Sequence, residues 1–332
     1  MEARFFSLSE CRDLATACCS AAGLSLSPVE ERPFEGGEFK LRPLVSVRDR
    51  PVFVLESLAN GGQLSPADRL IRLLFLLANL RDAGARSRTA IIPYLAYARK
   101  DRRTQLRDPV NTRYVAELLE AAGMTHLIAL DVHNPAALDN AFRIPVDHLS
   151  ALPTMCDHYS RRLSSGEPVV VSPDVGGVKR AQLFQELLEV RLGRPVELAF
   201  VEKRRASGKV TSGRLIGNVE GRHALIIDDL CATGGTLIRA AERCRAAGSA
   251  SVHVAVTHAP LPEGLENLAS CPSIDGIVAT DSAGVAVARS SQLQVKLTTL
   301  SIAPLLGMAV RRIHEGKPVA PLLSRWPLSA ED

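Results

Sequence analysis

The most chemically specific stretch of this 332-residue chain is I-I-D-D-L-C-A-T-G-G-T at residues 226–236. An apolar run ends in two adjacent carboxylates, Asp228 and Asp229. It then passes through the small residues Ala232, Gly234 and Gly235, flanked by the hydroxyls of Thr233 and Thr236. With a buried strand at 224–227 and a helix at 237–247, the carboxylates stand at the carboxyl edge of a sheet, where open α/β folds bind ligands. The small residues let backbone N–H groups approach an anion, and the start of the helix favours negative charge. Phosphate on the loop and a diol on the carboxylates describe a sugar phosphate. The loop lacks the Lys of G-x-x-x-x-G-K-[ST], so a Walker-type nucleotidase has no support.

Four further clusters carry chemistry. D-V-H at residues 131–133 and S-P-D-V-G-G-V-K-R-A at 172–181 put His133 and Asp174 just after apolar strands, where each is suited to hold Mg2+ directly or through water. His133 alone fits a structural histidine equally well, whereas Gly176-Gly177 beside Asp174 opens the backbone to a ligand. E-K-R-R at 202–205 ends a strand, and a Gly/Ser-rich segment at 206–213, expected to be mobile, follows. Cations there suit a clamp on charge developing in phosphoryl transfer. Between residues 86 and 113, Arg86, Arg88, Arg99, Lys100, Arg102, Arg103, Arg107 and Arg113 face only Asp101 and Asp108, an excess that points to a polyanion.

These groups need a scaffold of buried parallel strands. Short apolar runs alternate with amphipathic helical stretches, the rhythm of a parallel sheet covered by helices on both faces. The runs predict strands at 52–55, 90–92, 127–130, 169–171, 197–201, 224–227 and 252–256. The clearest helix starts at Ser65 with Pro66 and Asp68 in its first turn and carries Leu70, Leu73, Leu74, Leu77 and Leu80. V-L-E-S-L-A-N-G-G at 54–62 repeats the design of residues 226–235: strand, acid, Gly-Gly, helix. Two similar domains are therefore expected, residues 1–152 and 153–332, with the break in the Pro153 to Gly166 region.

Composition narrows the class. The chain is 46% hydrophobic and 23% charged with a formal charge of +4, as in an ordinary globular protein. Its longest apolar stretch falls far short of the ~18–20 residues of a membrane span. Charged residues interrupt the N-terminus, so no signal peptide is expected and a cytoplasmic location is. Aromatic residues, at 4%, leave few platforms for stacking bases, so no nucleic-acid partner is expected. The seven cysteines, with no C-x-x-C pair, read as free core thiols.

The acidic pair followed by T-G-G-T resembles the ribose 5-phosphate loop of type I phosphoribosyltransferases. F-E-G-G-E (34–38), P-Y-L-A-Y-A-R-K-D-R-R (93–103), D-V-H, S-P-D-V-G-G-V-K-R-A and E-K-R-R, in this order, narrow the resemblance to the ribose-phosphate pyrophosphokinases. That resemblance implies an α/β fold of two tandem phosphoribosyltransferase-like domains, each a mostly parallel sheet flanked by helices. The first would carry an ATP platform and a degenerate loop. The implied activity is transfer of a diphosphoryl group from Mg-ATP to ribose 5-phosphate in a homo-oligomer. By resemblance, Lys203 and Arg205 act on the transferring group and His133 and Asp174 serve Mg2+. Arg99 and Lys100 meet ATP, and Phe34, Gly36, Gly37 and Glu38 reach an adenine in a neighbouring subunit, although Phe34 fits a core position equally well. Asp228, Asp229, Ala232, Thr233, Gly234, Gly235 and Thr236 hold the sugar phosphate. Gly36 and Lys100 stand where the family commonly has Asn or Asp and Gln, and the segment after His133 also departs from it. Two other readings fit the loop: a phosphoribosyltransferase consuming phosphoribosyl diphosphate, and a silent relative that regulates an active synthetase.

Overall fold

The computed structural model describes residues 2–60, 62–163, 166–206, 209–284 and 290–324, without the side chains of 203–212, 323 and 324. The chain opens with β1 (Arg4–Ser7), α1 (Arg12–Ala22), the hairpin β2 (Val29–Pro33) and β3 (Phe39–Pro43), and β4 (Pro51–Leu55). It continues through α2 (Pro66–Asp82), β5 (Ser87–Ile92), α3 (Asn111–Ala121), β6 (His126–Leu130), α4 (Pro135–Ala141) and β7 (Val146–Leu149). Next come α5 (Leu152–Arg162), β8 (Pro168–Ser172), α6 (Val178–Leu192), β9 (Glu197–Ala206), β10 (Lys209–Ile216), β11 (His223–Leu230) and α7 (Gly235–Ala246). The last elements used below are β12 (Ser251–His258), α8 (Pro262–Ser270), β13 (Gly276–Thr280), α9 (Ser291–Lys296), β14 (Leu297–Leu300) and α10 (Ala303–His314).

The chain divides into two compact units. The first runs to Ser150 and resumes at Ser301; the second runs from Ala151 to Asp281 and includes β14. This differs from the expected consecutive domains 1–152 and 153–332 at the carboxyl end, because α10 packs on α1. Gly307 makes the close approach possible: a Cβ there would stand 2.5 Å from that of Ala21 and 2.6 Å from the Cys18 carbonyl oxygen. Around it α10 buries Leu305, Leu306, Ala309 and Val310.

The first unit holds a five-stranded parallel sheet in the order β1-β4-β5-β6-β7, with the β2-β3 hairpin as a separate antiparallel pair. The second holds a seven-stranded sheet, β10-β9-β8-β11-β12-β13-β14, parallel throughout except for β10 against β9. All seven expected strands are present. Their central residues are apolar on both faces because helices cover both sides of a parallel sheet; Val52, Val54, Ile226 and Ile227 are all fully buried. Strands β1, β7, β13 and β14 and the polar hairpin escape a reading based on apolar runs. Residues 209–211, part of the connection expected to be mobile, begin β10 and pair with β9. The expected helix is α2: the Ser65 side chain accepts from the Asp68 amide, Asp68 reaches back to the Ser65 amide, and Leu73, Leu77 and Leu80 are buried. Gly84, at φ 81°, turns the chain out of it.

Each unit has its own core, around Leu73, Leu77 and Ile92 in the first and Val171, Ile226 and Val254 in the second. All seven cysteines are buried and free. Among the described residues, no helix is long and apolar enough to cross a membrane.

Candidate functional site

Strands β8 and β11 are parallel neighbours, with Val171 opposite Ile226. The residues that follow them therefore emerge side by side at the carboxyl edge of the second sheet: Asp174 after β8, and Asp228 and Asp229 at the end of β11. Asp174 is held by its surroundings. Its Oδ1 accepts from the Gly177 amide at 3.1 Å, and its carbonyl accepts from Ser172 Oγ at 2.6 Å. A Cβ on Gly177 would meet that same Oγ at 2.8 Å. A side chain at Gly177 would press on the hydroxyl that holds Asp174.

The two carboxylates share a cation. Arg180, from the first turn of α6, places Nη1 2.9 Å from Asp228 Oδ1 and 3.1 Å from Asp229 Oδ1. Asp228 also accepts from the Asp229 amide at 2.9 Å. Burial, and then the neighbouring acid, push the Asp228 carboxyl above its ordinary range, while Arg180 pulls the other way. One guanidinium cannot neutralise two carboxylates, so the pair favours groups that donate hydrogen bonds or bring positive charge. A sugar diol is of the first kind.

The loop after β11 is short and tightly seated. The Cys231 amide donates to the His258 carbonyl at 2.8 Å, anchoring the loop to β12. Gly234 adopts φ 81°, the left-handed turn that feeds straight into α7. Behind the loop lies the first turn of α8: a Cβ on Gly264 would stand 2.2 Å from the Ala232 carbonyl oxygen, and Asn267 Nδ2 donates to the Thr233 carbonyl at 3.0 Å. No side chain caps α7 at Gly234, so its first-turn amides remain donors for an anion. Arg239, one turn on, donates to Thr236 Oγ1 at 3.3 Å and adds a cation beside the loop.

In the first unit the structure brings together two of the expected groups. The loop after β5 carries Arg99 and Lys100, and the turn after β6 carries His133. Asn134 Nδ2 ties these connections together by donating to Asp101 Oδ2 at 2.5 Å. Asp131 takes φ 38° at the start of that turn, and His133 is exposed. Arg99 is exposed, whereas Lys100 Nζ lies 2.5 Å from Asp108 Oδ2. That oxygen also accepts from the amides of Thr104 and Gln105 and from Thr104 Oγ1. These donors hold Asp108 well below the usual carboxylate range. Only part of the basic run is available to a ligand. Arg86 pairs with Asp49, Arg88 donates to the carbonyls of Gly123 and Ala85, and Arg113 pairs with Glu117.

Phe34, Gly36, Gly37 and Glu38 form the tip of the β2-β3 hairpin. Phe34 is 43% exposed with Arg32 over its ring, so it is not a core residue. Gly36 and Gly37 take φ 79° and 88°, and a Cβ on either would have nothing within 4 Å. Lys203 and Arg205 belong to the backbone of β9, and their side chains lie outside those described.

Sequence reasoning missed Arg180, Gly264, Asn267, Arg239 and Asp108. Arg180 stands inside a quoted motif and Arg239 lies one helical turn past Thr236, so both had a local signal. Gly264 and Asn267 had none, because only the packing of α8 brings them to the loop.

The chain is similar to known proteins over nearly its whole length. The N-terminal domain of ribose phosphate pyrophosphokinase matches residues 3–123, and the phosphoribosyl transferase domain matches residues 150–296. The chain is 35% identical over 324 residues to ribose-phosphate pyrophosphokinase 1 of Streptococcus pneumoniae serotype 4, covering 96% of each. It is 35% identical over 322 residues to ribose-phosphate pyrophosphokinase 2 of Enterococcus faecalis, covering 96% of this chain and 95% of that one. The crystal structure of phosphoribosylpyrophosphate synthetase from Mycobacterium smegmatis superposes with a TM-score of 0.84 at 31% identity, over 95% of this chain and 100% of the other. Two phosphoribosyltransferase-type α/β domains, joined in this order and matched over nearly the whole length, make the chain a member of the ribose-phosphate pyrophosphokinase family, a diphosphotransferase.

Proposed function

We propose that this enzyme transfers the β,γ-diphosphoryl group of Mg-ATP to the C1 hydroxyl of ribose 5-phosphate, giving phosphoribosyl diphosphate and AMP. The observation that carries this reading is the edge of the second sheet, where an acid pair, a loop of small residues and an uncapped helix start stand in succession. The 5-phosphate is received by the amides and hydroxyls of Ala232, Thr233, Gly234, Gly235 and Thr236. Asp228 and Asp229 accept from the ring hydroxyls and orient C1. Its hydroxyl oxygen attacks the β-phosphorus and gives up its proton to water, the bond from that phosphorus to the α,β-bridging oxygen breaks, and AMP leaves with the bridging oxygen.

Lys203 and Arg205 stabilise charge on the transferring group. Arg99 and Lys100 contact the nucleotide, Lys100 exchanging its partner Asp108 for it. Phe34, Gly36, Gly37 and Glu38, carried outward on the hairpin, complete the adenine site of a neighbouring copy, which makes the enzyme a homo-oligomer. Mg2+ fits the donor set. Asp174 offers a carboxylate at a strand end, and His133 lies exposed in its own unit. No cluster of three or more metal-type ligands exists among the described residues, which suits an ion that keeps waters and takes substrate phosphates. When bound, Mg2+ would neutralise the triphosphate.

The test is product identity. Purified protein with Mg-ATP and ribose 5-phosphate yields AMP and phosphoribosyl diphosphate; ADP, or no turnover, overturns the reading. Lys203→Ala is expected to lower kcat by roughly 10²–10³-fold with sugar-phosphate binding unchanged.

A further inference from the structure

The first unit contains a second strand-to-helix loop whose environment no reading of the sequence foresaw. Beyond β4 the chain carries an acid, Glu56, and reaches Gly62 and Gln63 before α2, as β11 leads through Asp228 to Gly234, from which α7 starts. Against this loop lies the carboxylate of Glu10, from the turn that precedes α1. Its Oε1 accepts from the Gln63 amide at 3.3 Å, and its Oε2 accepts from Arg69 Nη2 at 2.6 Å. The carboxylate is pressed onto the glycine, since a Cβ on Gly62 would stand 1.8 Å from Oε2. Arg69 is only 4% exposed, and its other terminal nitrogen is engaged by Glu56 Oε1 at 3.2 Å and the Ser57 carbonyl at 3.1 Å.

We propose that this loop is a phosphate cradle that the chain fills with its own anion, Glu10 taking the place of a phosphate dianion between the Gln63 amide and the Arg69 guanidinium. The parts are those of an anion site: a backbone donor beside a glycine with no side chain in the way, and a buried cation fixed in position by other partners. A carboxylate delivered from within the chain satisfies both donors and costs no ligand, so a soluble phosphate has to displace a tethered competitor. The second unit's loop, by contrast, leads into α7 with no side-chain cap at Gly234. The proposal concerns the first unit alone and stands or falls separately from the reaction proposed above.

The test is phosphate stoichiometry. Equilibrium dialysis with radiolabelled inorganic phosphate compares the unaltered chain with Glu10→Ala and Glu10→Ser, so sites common to all three cancel. One additional phosphate per chain is expected in Glu10→Ala, lost again in the double variant Glu10→Ala/Arg69→Gln. Circular dichroism establishes which variants are folded, and Glu10→Ser, which also removes the carboxylate and opens the cradle, carries the test if Glu10→Ala does not fold. No additional phosphate in the folded variants, or an additional one that survives Arg69→Gln, overturns the proposal.

Discussion

The loop after β4 and the loop after β11 start from the same ingredients and differ in where their charges come from. In the first unit the cation beside the acid is Arg69, on the helix the loop leads into. It is buried between Glu56 and Glu10, and the helix start is closed by the Ser65–Asp68 capping box. In the second the cation is Arg180, on a different helix, and α7 starts at Gly234 without a side-chain cap. The connection also shrinks from residues 56–65 to residues 231–234. The first loop engages its donors with its own chain, whereas the second enters α7 without a side-chain cap. A shared strand, acid and Gly-Gly therefore do not make two loops alike; the partners supplied by neighbouring elements set them apart.

The sharpest break of this comparison is at the two arginines. Arg69→Met leaves Glu10 and Glu56 without their cation in a buried place and is expected to cost about 3–5 kcal/mol of stability, read from denaturant midpoints. Arg180→Met, at the less deeply buried pair, is expected to lower the midpoint less than Arg69→Met while raising KM for ribose 5-phosphate. Equal losses of stability would erase the distinction.

Next in size is the contrast between the acids. Asp229→Asn removes a charged acceptor from the proposed diol contact and is expected to lower kcat/KM for ribose 5-phosphate by about 10–100-fold, the equivalent of about 1.5–3 kcal/mol. Glu56→Gln is expected to leave it within about twofold. Steady-state kinetics on both variants decides whether the two acids have separate duties.

A smaller effect tests the seat of the loop. With the Ala232 carbonyl 2.2 Å from where its Cβ would be, Gly264→Ala has to displace the loop. It is expected to raise KM for ribose 5-phosphate about tenfold, with KM for ATP unchanged.

The last is a pH slope. Burial pushes the Glu56 carboxyl from 4.5 up to about 8, against the pull of Arg69. Between those values the folded chain holds a proton that the unfolded chain has released. Unfolding then sheds a proton, and stability falls as pH rises through the window, by at most about 1.4 kcal/mol per pH unit. Urea melts across that range should show the decline, and Glu56→Gln should flatten it.

Much of the fold was legible because it is local. A buried strand is a run of apolar residues, as at Val52 and Ile226, and a helix start is a short hydrogen-bonded pattern, as at Ser65 and Asp68. The short strands β7 and β14 were not legible, since few of their residues are apolar and pairing alone makes them strands. Lys100 illustrates the limit at the site: its position in the basic run was plain, but its engagement by Asp108 was not.

The residues by themselves determined the alternation of strands and helices and the small-residue loop after Asp229. Both follow from backbone sterics and side-chain periodicity within a dozen neighbours. Tertiary structure alone decided which charges meet. Asp228 finds Arg180 because β8 lies beside β11, and Gln63 finds Glu10 because the turn before α1 is brought against its loop. An ion pair or a steric stop forms between atoms brought within a few ångströms, and the order of strands in a sheet, not the order of residues in the chain, sets that distance.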